Sequence, residues 1–399
     1  MKPETSIYIH IPFCKHRCAY CDFNTYAGQE DSIPAYITAL INEIEAVAAL
    51  KPNPINVHTV FFGGGTPSLL SAPQFDSVLK ALRTAFTFST DAEISIEANP
   101  GTISPEKLNA IRKSGINRIS FGVQSANTEE LRMLERIHDF FTVIEAVSTA
   151  RKAGFDNLNL DLIYGLPQQT LSTWQTTLQR IVDLHPEHIS AYALTLEHGT
   201  PFGRWSSKGL LPLPDPDLAA EMYEYAEEFL AANGYVNYEI SNWAKPNYAC
   251  KHNLQYWRGL PYLAFGAGAH GYANGYRYSN VLRIKTYIER LSLPSASRLL
   301  AFPLSSAAVN QHKQTPQDDL SEYMMTNLRL TKAGVTESDF RSRFGNGLLD
   351  VYPKEIGELI HNGLLEFAKT SEFLENSEVC LRLTKRGRLL GNQVFMRFI

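Results

Sequence analysis

Three cysteines near the start of the chain form the pattern best able to do chemistry. They are Cys14, Cys18 and Cys21, spaced CxxxCxxC, and they follow an apolar run over residues 7–13 that predicts a buried strand feeding a loop. Three thiolates on one loop can hold three irons of a 4Fe-4S cube. No further cysteine lies nearby, so the fourth iron would have no protein ligand, and an open coordination position is typical of a catalytic metal site.

Two other uses of these cysteines are less well supported. Zinc sites usually show paired C-x2-C spacings or such a pair with histidines, and only His10 and His16 lie close by. Five cysteines in 399 residues, an odd number, and no signal peptide indicate a reducing compartment rather than a disulfide framework. Cys250 and Cys380 are isolated in sequence, and Cys380 is predicted to lie in a strand that packs in a core.

Polar and glycine residues at predicted strand ends form a second group. Gly63-Gly64-Gly65-Thr66-Pro67 follows a strand, and glycines let backbone approach a ligand closely, although a tight turn explains such a run equally well. Further along the chain come Glu97, Gln124, Arg136 and Asp161. Each alone could cap a helix or satisfy a loop. Together they favour a polar ligand, because carboxylates bind hydroxyl or ammonium groups and arginine binds carboxylates.

The elements that must position these residues alternate between strands and helices. The predicted strands are 7–11, 57–62, 94–97, 118–123, 158–163 and 189–194, and the predicted helices between them are 33–50, 74–86, 105–114, 141–153 and 171–184. Such alternation predicts right-handed βαβ units and a parallel sheet. Functional residues are then expected at the carboxyl ends of the strands.

The cysteine motif resembles that of the radical S-adenosylmethionine (SAM) superfamily, and several later motifs match in order over nearly the whole chain. The form Cys14-x3-Cys18-x2-Cys21-Asp22-Phe23 is similar to the coproporphyrinogen-III-oxidase-like branch, and within it to HemW-type haem chaperones. This resemblance implies an α/β fold: a three-quarter (β/α)6 barrel with an accessory segment and a C-terminal winged-helix-like module. The oxygen-independent coproporphyrinogen III oxidase carries another cysteine two residues after the third, where Phe23 stands here.

The resemblance also implies a SAM site beside a 4Fe-4S cluster on Cys14, Cys18 and Cys21. Tyr8 would lie beside the sulfonium, the glycine loop would contact the amino group, and Arg136 would meet the carboxylate. The implied SAM residues are Tyr8, Gly64, Gly65, Thr66, Glu97, Gln124, Arg136 and Asp161, with Tyr20 and Ala193 added on looser motifs. A reduced cluster would pass one electron to SAM, giving methionine and a 5'-deoxyadenosyl radical, so an electron donor is also implied.

A second motif, HNxxYW, begins at His252 and ends in Tyr256 and Trp257. On the residues alone, a single histidine in an aromatic loop is more often structural than a ligand. The resemblance implies instead that His252 ligates haem iron while Tyr256 and Trp257 pack against the ring. The covalent-attachment motif C-x-x-C-H is not present around Cys250, so no thioether is predicted, and a role for Cys250 in holding haem is left open.

Three functions are therefore compared. The first is a haem chaperone that binds a cluster, SAM and haem and delivers haem to an acceptor haemoprotein. The second is an oxygen-independent coproporphyrinogen III oxidase, a radical SAM decarboxylase. The third is a SAM-binding or Fe-S scaffold without turnover. Phe23 and the HNxxYW motif favour the first over the second, and the sequence does not decide whether SAM is cleaved.

Composition sets the remaining expectations. We predict a partial barrel over residues 1–215, an accessory helix and haem-motif region over 216–305, and the winged-helix-like module over 306–399.

Residues 315–399 hold 11 Lys and Arg against 12 Asp and Glu, which disfavours nucleic-acid binding. No apolar run reaches the roughly 18 to 20 residues of a spanning helix, and residues 1–6 are not a targeting segment, so a cytoplasmic location is expected.

Overall fold

The computed structural model describes residues 4–292, 300–369 and 378–399. The chain separates into two compact units, Met1–Phe229 with Pro261–Lys313 and Leu230–Leu260 with Gln314–Ile399. The helix that carries the HNxxYW motif therefore belongs to the same unit as the C-terminal module. The predicted boundaries after residues 215 and 305 stay predictions.

Six parallel strands in chain order build the first unit. They are β1 (Thr5–Ile11), β2 (Asn56–Gly64), β3 (Thr87–Ala98), β4 (Arg118–Gln124), β5 (Leu158–Tyr164) and β6 (His188–Ala193). The helices between them are Ile33–Leu50, Ala72–Ala85, Pro105–Lys113, Thr128–Met133, Phe140–Lys152 and Leu171–Val182. This order confirms the predicted three-quarter (β/α)6 barrel, and only the short helix Thr128–Met133 was not anticipated.

Side-chain caps begin several of these helices, including the two that follow β4. Asn127 Oδ1 accepts hydrogen bonds from the amides of Glu129 (2.9 Å) and Glu130 (3.2 Å), and Asp139 Oδ1 accepts one from the amide of Thr142 (2.8 Å). Each cap satisfies backbone donors that the first helical turn leaves unpaired. The caps thereby fix where each loop ends at the carboxyl side of the sheet.

The lumen of the barrel is unusually polar. Thr59 on β2 donates a hydrogen bond to Ser6 on β1 (2.6 Å), and Asn159 on β5 donates one to Ser120 on β4 (2.7 Å). All four side chains are buried, as is His188 on β6. Buried polar groups need partners, and these side chains provide partners for one another across neighbouring strands.

Four further strands extend the sheet of the first unit on the outer side of β1. Tyr262–Phe265 pairs in parallel with β1, and His270–Ala273, Tyr276–Asn280 and Ala308–Lys313 follow in antiparallel order. The remaining helices before the C-terminal module are Pro201–Ser207, Pro216–Ala232 and Ile284–Ser292. The irregular stretch predicted from Ser292 to Ser306 lies partly outside the described residues.

The second unit is a small helical module with a three-stranded sheet. Its helices are Lys251–Trp257, Pro316–Asn327, Glu337–Phe344, Leu348–Val351, Pro353–His361, Lys385–Leu389 and Gly391–Phe395. Val379–Leu383 lies between Val335–Thr336 and Leu365–Lys369 in the three-stranded sheet, and Val236–Glu239 pairs in antiparallel order with Asn242–Ala244. Met324, Phe340, Ile356 and Leu381 pack in its core. The predicted winged-helix-like module is confirmed, with Val335–Thr336 adding a third strand to the expected two.

One helical segment of the described chain, Glu30–Leu50, is long and apolar enough to cross a membrane when judged by length and composition alone. In this structure Tyr36, Leu40, Ile44 and Val47 form its buried face.

Candidate functional site

A cavity of about 530 Å³ opens at the carboxyl ends of the barrel strands. Cys14, Cys18 and Cys21 all line it. Of the ten SAM residues suggested by resemblance, the lining holds Tyr20, Gly64, Gly65, Thr66, Glu97, Gln124, Arg136, Asp161 and Ala193. Residues that are more than 170 positions apart in sequence thus share one cavity.

The cysteine loop is held by short backbone and side-chain contacts. Cys14 ends the short strand Phe13–Cys14 and accepts a hydrogen bond at Sγ from the Thr66 hydroxyl (3.6 Å). The amide of Cys21 donates to the carbonyl of Cys18 (3.1 Å). Burial raises the pKa of the Cys14 and Cys21 thiols. A metal that binds these sulfurs must therefore displace their protons.

The thiols fit a cluster better than a single ion. Within the described chain, no three His, Cys, Asp or Glu side chains converge closely enough to hold one metal ion. In a 4Fe-4S cube each thiolate binds its own iron, so the three sulfurs need only face a common space. Cys14, Cys18 and Cys21 do so in this cavity.

Arg136 joins the cysteine loop to strand β4. Its Nη2 donates to the carbonyl of Gly122 (2.7 Å), and its Nη1 lies 3.4 Å from the Tyr20 hydroxyl and 3.5 Å from Cys18 Sγ. Its Nε is buried and has no acceptor among the described residues. Because the side chain also lines the cavity, this fixed guanidinium is suited to bind an anionic group such as a carboxylate there.

Glu97 is the acid at the end of β3. Its Oε2 accepts a hydrogen bond from the amide of Gly64 (2.9 Å). Burial, together with the nearby charge of Asp161, raises the pKa of Glu97 to about 7. Glu97 can therefore be protonated or ionised near neutral pH according to what binds beside it.

Gly64 has a different constraint from the one the sequence suggested. Its φ is +109°, and a Cβ there would lie 2.4 Å from the ring of His10. Its amide is already used by Glu97. The glycine is therefore required by packing against His10 and by backbone conformation, in addition to any approach by a ligand.

Tyr8 is the one suggested SAM residue that is not part of the cavity lining. Its hydroxyl lies 3.0 Å from His10 Nδ1, and His10 Nε2 donates to the carbonyl of Asn24 (2.9 Å). Burial lowers the pKa of His10, so the ring is neutral and Nδ1 accepts from Tyr8. From the sequence, His10 was considered only as a possible zinc ligand and Asn24 was not singled out, although both lie close to the cysteine motif.

Apolar side chains form the rim of the cavity, which the sequence also did not reveal. Phe23, Ile137 and Tyr192 line the cavity while remaining 68%, 53% and 43% exposed. Gln124, also in the lining, has a φ of +71°, a conformation uncommon for residues other than glycine and often found at functional sites.

The HNxxYW residues lie on helix Lys251–Trp257 of the second unit. His252 is 1% exposed, and its Nε2 forms a 2.8 Å hydrogen bond with the Tyr256 hydroxyl. The guanidinium of Arg329 lies 4.3 Å above the Trp257 ring and is paired with Glu239 (3.2 Å). In this arrangement an iron that binds His252 through Nε2 must replace the hydrogen bond to Tyr256.

Comparison with known proteins identifies two family segments. Residues 8–181 match the radical SAM superfamily, and residues 314–390 match the HemN C-terminal domain. The first match spans the barrel strands and the cysteine loop. It implies a 4Fe-4S cluster and SAM, in agreement with the thiols and polar groups of the cavity.

Individual relatives match the whole chain. It is 38% identical to the heme chaperone HemW of Bacillus subtilis over 99% of both chains, and 36% identical to that of Lactococcus lactis over 100% of this chain and 98% of the relative. The solved structure of coproporphyrinogen III oxidase (HemN) from Escherichia coli superposes with a TM-score of 0.80 at 26% identity, covering 99% of this chain and 90% of that one. The chain therefore belongs to the HemW family within the radical SAM superfamily.

Proposed function

We propose that this protein is a haem chaperone that holds a 4Fe-4S cluster and SAM in the barrel cavity and delivers haem to an acceptor haemoprotein. The observation that carries the proposal is the convergence of three thiols, the Arg136 guanidinium and two carboxylates on one cavity. Full-length relatives named heme chaperone HemW support the chaperone activity.

Each group of the cavity has a distinct part in this proposal. Cys14, Cys18 and Cys21 would each hold one iron, and the cluster, once reduced by an electron donor, supplies one-electron chemistry to bound SAM. Arg136, whose side chain lines the cavity, binds the SAM carboxylate through its guanidinium. Glu97, with a pKa of about 7, is partly protonated near neutral pH, and a cationic group bound beside it shifts it toward the carboxylate, because a neighbouring positive charge favours the ionised form.

Haem binding is assigned to the helix Lys251–Trp257. His252 supplies the iron ligand, and Tyr256 and Trp257 supply aromatic surface for the ring. The Tyr256 hydroxyl must move away from His252 Nε2 before the iron can bind there. Cys250 is buried at the start of this helix, and no covalent link to haem is proposed.

The five cysteines are free thiols, which suits a reducing compartment, and we assign the protein to the cytoplasm on that basis. The acceptor is a haemoprotein in its haem-free form.

Haem titration followed by transfer tests this function. The purified protein should show a saturable shifted Soret band, and haem should pass to an added haem-free haemoprotein. In parallel, the anaerobically reconstituted protein should convert little coproporphyrinogen. Efficient coproporphyrinogen decarboxylation without haem binding would overturn the proposal.

A further inference from the structure

Asn159 is the centre of a hydrogen-bond network in the lumen of the barrel. Its side chain is almost fully buried. Its Nδ2 donates to Asp161 Oδ1 (2.8 Å) and to Ser120 Oγ (2.7 Å), while its Oδ1 accepts from His188 Nδ1 (2.6 Å) and Ser190 Oγ (3.1 Å). One amide thus uses both donors and both acceptor positions to connect strands β4, β5 and β6.

The chemistry of the partners fixes the direction of these bonds. An ionised Asp161 can only accept hydrogen bonds, so the Asn159 Nδ2 must face it and Oδ1 must face His188. His188 is fully buried, which lowers the pKa of its imidazole well below the usual value, so the ring is neutral with its proton on Nδ1. The network therefore has a single arrangement of donors and acceptors.

This arrangement holds Asp161 by both carboxylate oxygens. Asn159 donates to Oδ1, and Ser120 donates to Oδ2 (2.7 Å). A carboxylate with one donor on each oxygen cannot rotate without losing both bonds, so its plane and its remaining lone pairs have a fixed direction. Asp161 lines the cavity, whereas Asn159 is two residues earlier on the same face of β5 and lies deeper in the lumen.

We infer that Asn159 is a positioning residue for SAM, which orients Asp161 toward the cofactor without touching it. This inference rests on the proposed SAM site in the cavity. Asp161 supplies the contact, and Asn159 determines whether that carboxylate is already oriented when SAM arrives, so that no binding energy is lost in ordering it.

The substitution Asn159→Asp tests the role with little change in size. Aspartate at this position still accepts from His188, but when ionised it donates to neither Asp161 nor Ser120. The 4Fe-4S cluster of the reconstituted protein should assemble normally, while the SAM concentration that half-saturates the EPR change of the reduced cluster should rise about tenfold or more. The matched control is Ser190→Ala, which removes a bond from the other side of the same amide and should leave that concentration within about twofold of the parent value.

A double-mutant cycle separates positioning from a general structural role. If Asn159 acts through Asp161, Asn159→Asp should have no further effect on the SAM response in an Asp161→Ala background. Ser120→Ala, which removes the other donor to Asp161, provides the same test should Asn159→Asp fail to fold. A parent-like SAM response of Asn159→Asp, or additive losses in the cycle, would overturn the positioning role alone. If the EPR spectrum of the parent protein does not change at saturating SAM, both the proposed cofactor site and this role are wrong.

Discussion

The Arg136 Nη1 atom lies 3.5 Å from the sulfur of Cys18, so a guanidinium from the loop after helix Thr128–Met133 directly contacts the cysteine loop. The same side chain is anchored to the Gly122 carbonyl at the end of β4. A guanidinium N–H beside a sulfur can donate a hydrogen bond to a thiolate that holds a metal. Arg136 thus serves two groups at once, the sulfur on one side and, by proposal, the SAM carboxylate on the other.

Substitution of Arg136 should therefore affect SAM more than the cluster. We expect Arg136→Lys to retain much of the cluster, because a positive charge remains near Cys18, but to weaken the EPR response to SAM about tenfold or more through loss of the planar fork. Arg132→Ala is the matched control, since Arg132 is an exposed arginine on the neighbouring helix Thr128–Met133. An unchanged SAM response in Arg136→Lys would contradict the assigned carboxylate contact.

The cluster ligands can be tested one at a time. Cys14→Ala, Cys18→Ala and Cys21→Ala should each prevent assembly of a 4Fe-4S centre, because each removes one of the three thiol anchors in the cavity. Cys250→Ala and Cys380→Ala should leave it intact, since these two cysteines belong to the other unit. Iron and sulfide analysis with low-temperature EPR measures the outcome. A normal cubane signal in Cys18→Ala would show that the ligand set is wrong.

The raised pKa of Glu97 predicts that the stability of the cluster-free protein depends on pH. Because the pKa is about 7 in the folded state and near 4.5 when unfolded, the folded state binds more protons between these values. The free energy of unfolding should then fall as pH rises from about 4.5 to above 7, with a contribution from Glu97 of about 1–3 kcal/mol.

Glu97→Gln should remove that part of the pH dependence. Urea unfolding of the cluster-free protein at pH 5 and pH 8 measures it, with the exposed Glu129→Gln as control. If the parent and Glu97→Gln lose stability equally between the two pH values, the carboxyl group of Glu97 is not the one that titrates.

The hydrogen bond between His252 and Tyr256 predicts different effects of two substitutions on haem affinity. His252→Ala should lose most tight haem binding, whereas Tyr256→Phe should bind haem at least as tightly as the parent, because it frees Nε2 and keeps an aromatic ring. Soret titration measures both, and the cluster and SAM signals should be unchanged in each variant. If His252→Ala binds and transfers haem as well as the parent protein, the motif has a structural role instead.

The sequence predicted the parts of the site that depend on local pattern. Strand periodicity located five of the six barrel strands within two residues at each end, but placed the start of β3 seven residues too late, and the cysteine spacing indicated the cluster loop. Asn159 escaped notice because a polar residue inside a strand gives no local sign that it faces a polar lumen. The four strands between residues 262 and 313 were missed because they are only four to six residues long, and the pairing of Tyr262–Phe265 with β1 is a long-range property.

The loop that carries the cysteines is held by contacts with residues that lie more than 240 positions later in the sequence. Asn24, three residues after Cys21, donates its side-chain amide to the carbonyls of Ala267 and Leu282 (both 3.1 Å), and its own carbonyl holds His10. During synthesis the three cysteines leave the ribosome first, yet the clasp that fixes their loop cannot close until residue 282 has emerged. If a cluster is inserted only into the finished loop, its insertion must follow translation of the barrel rather than the appearance of the three cysteines.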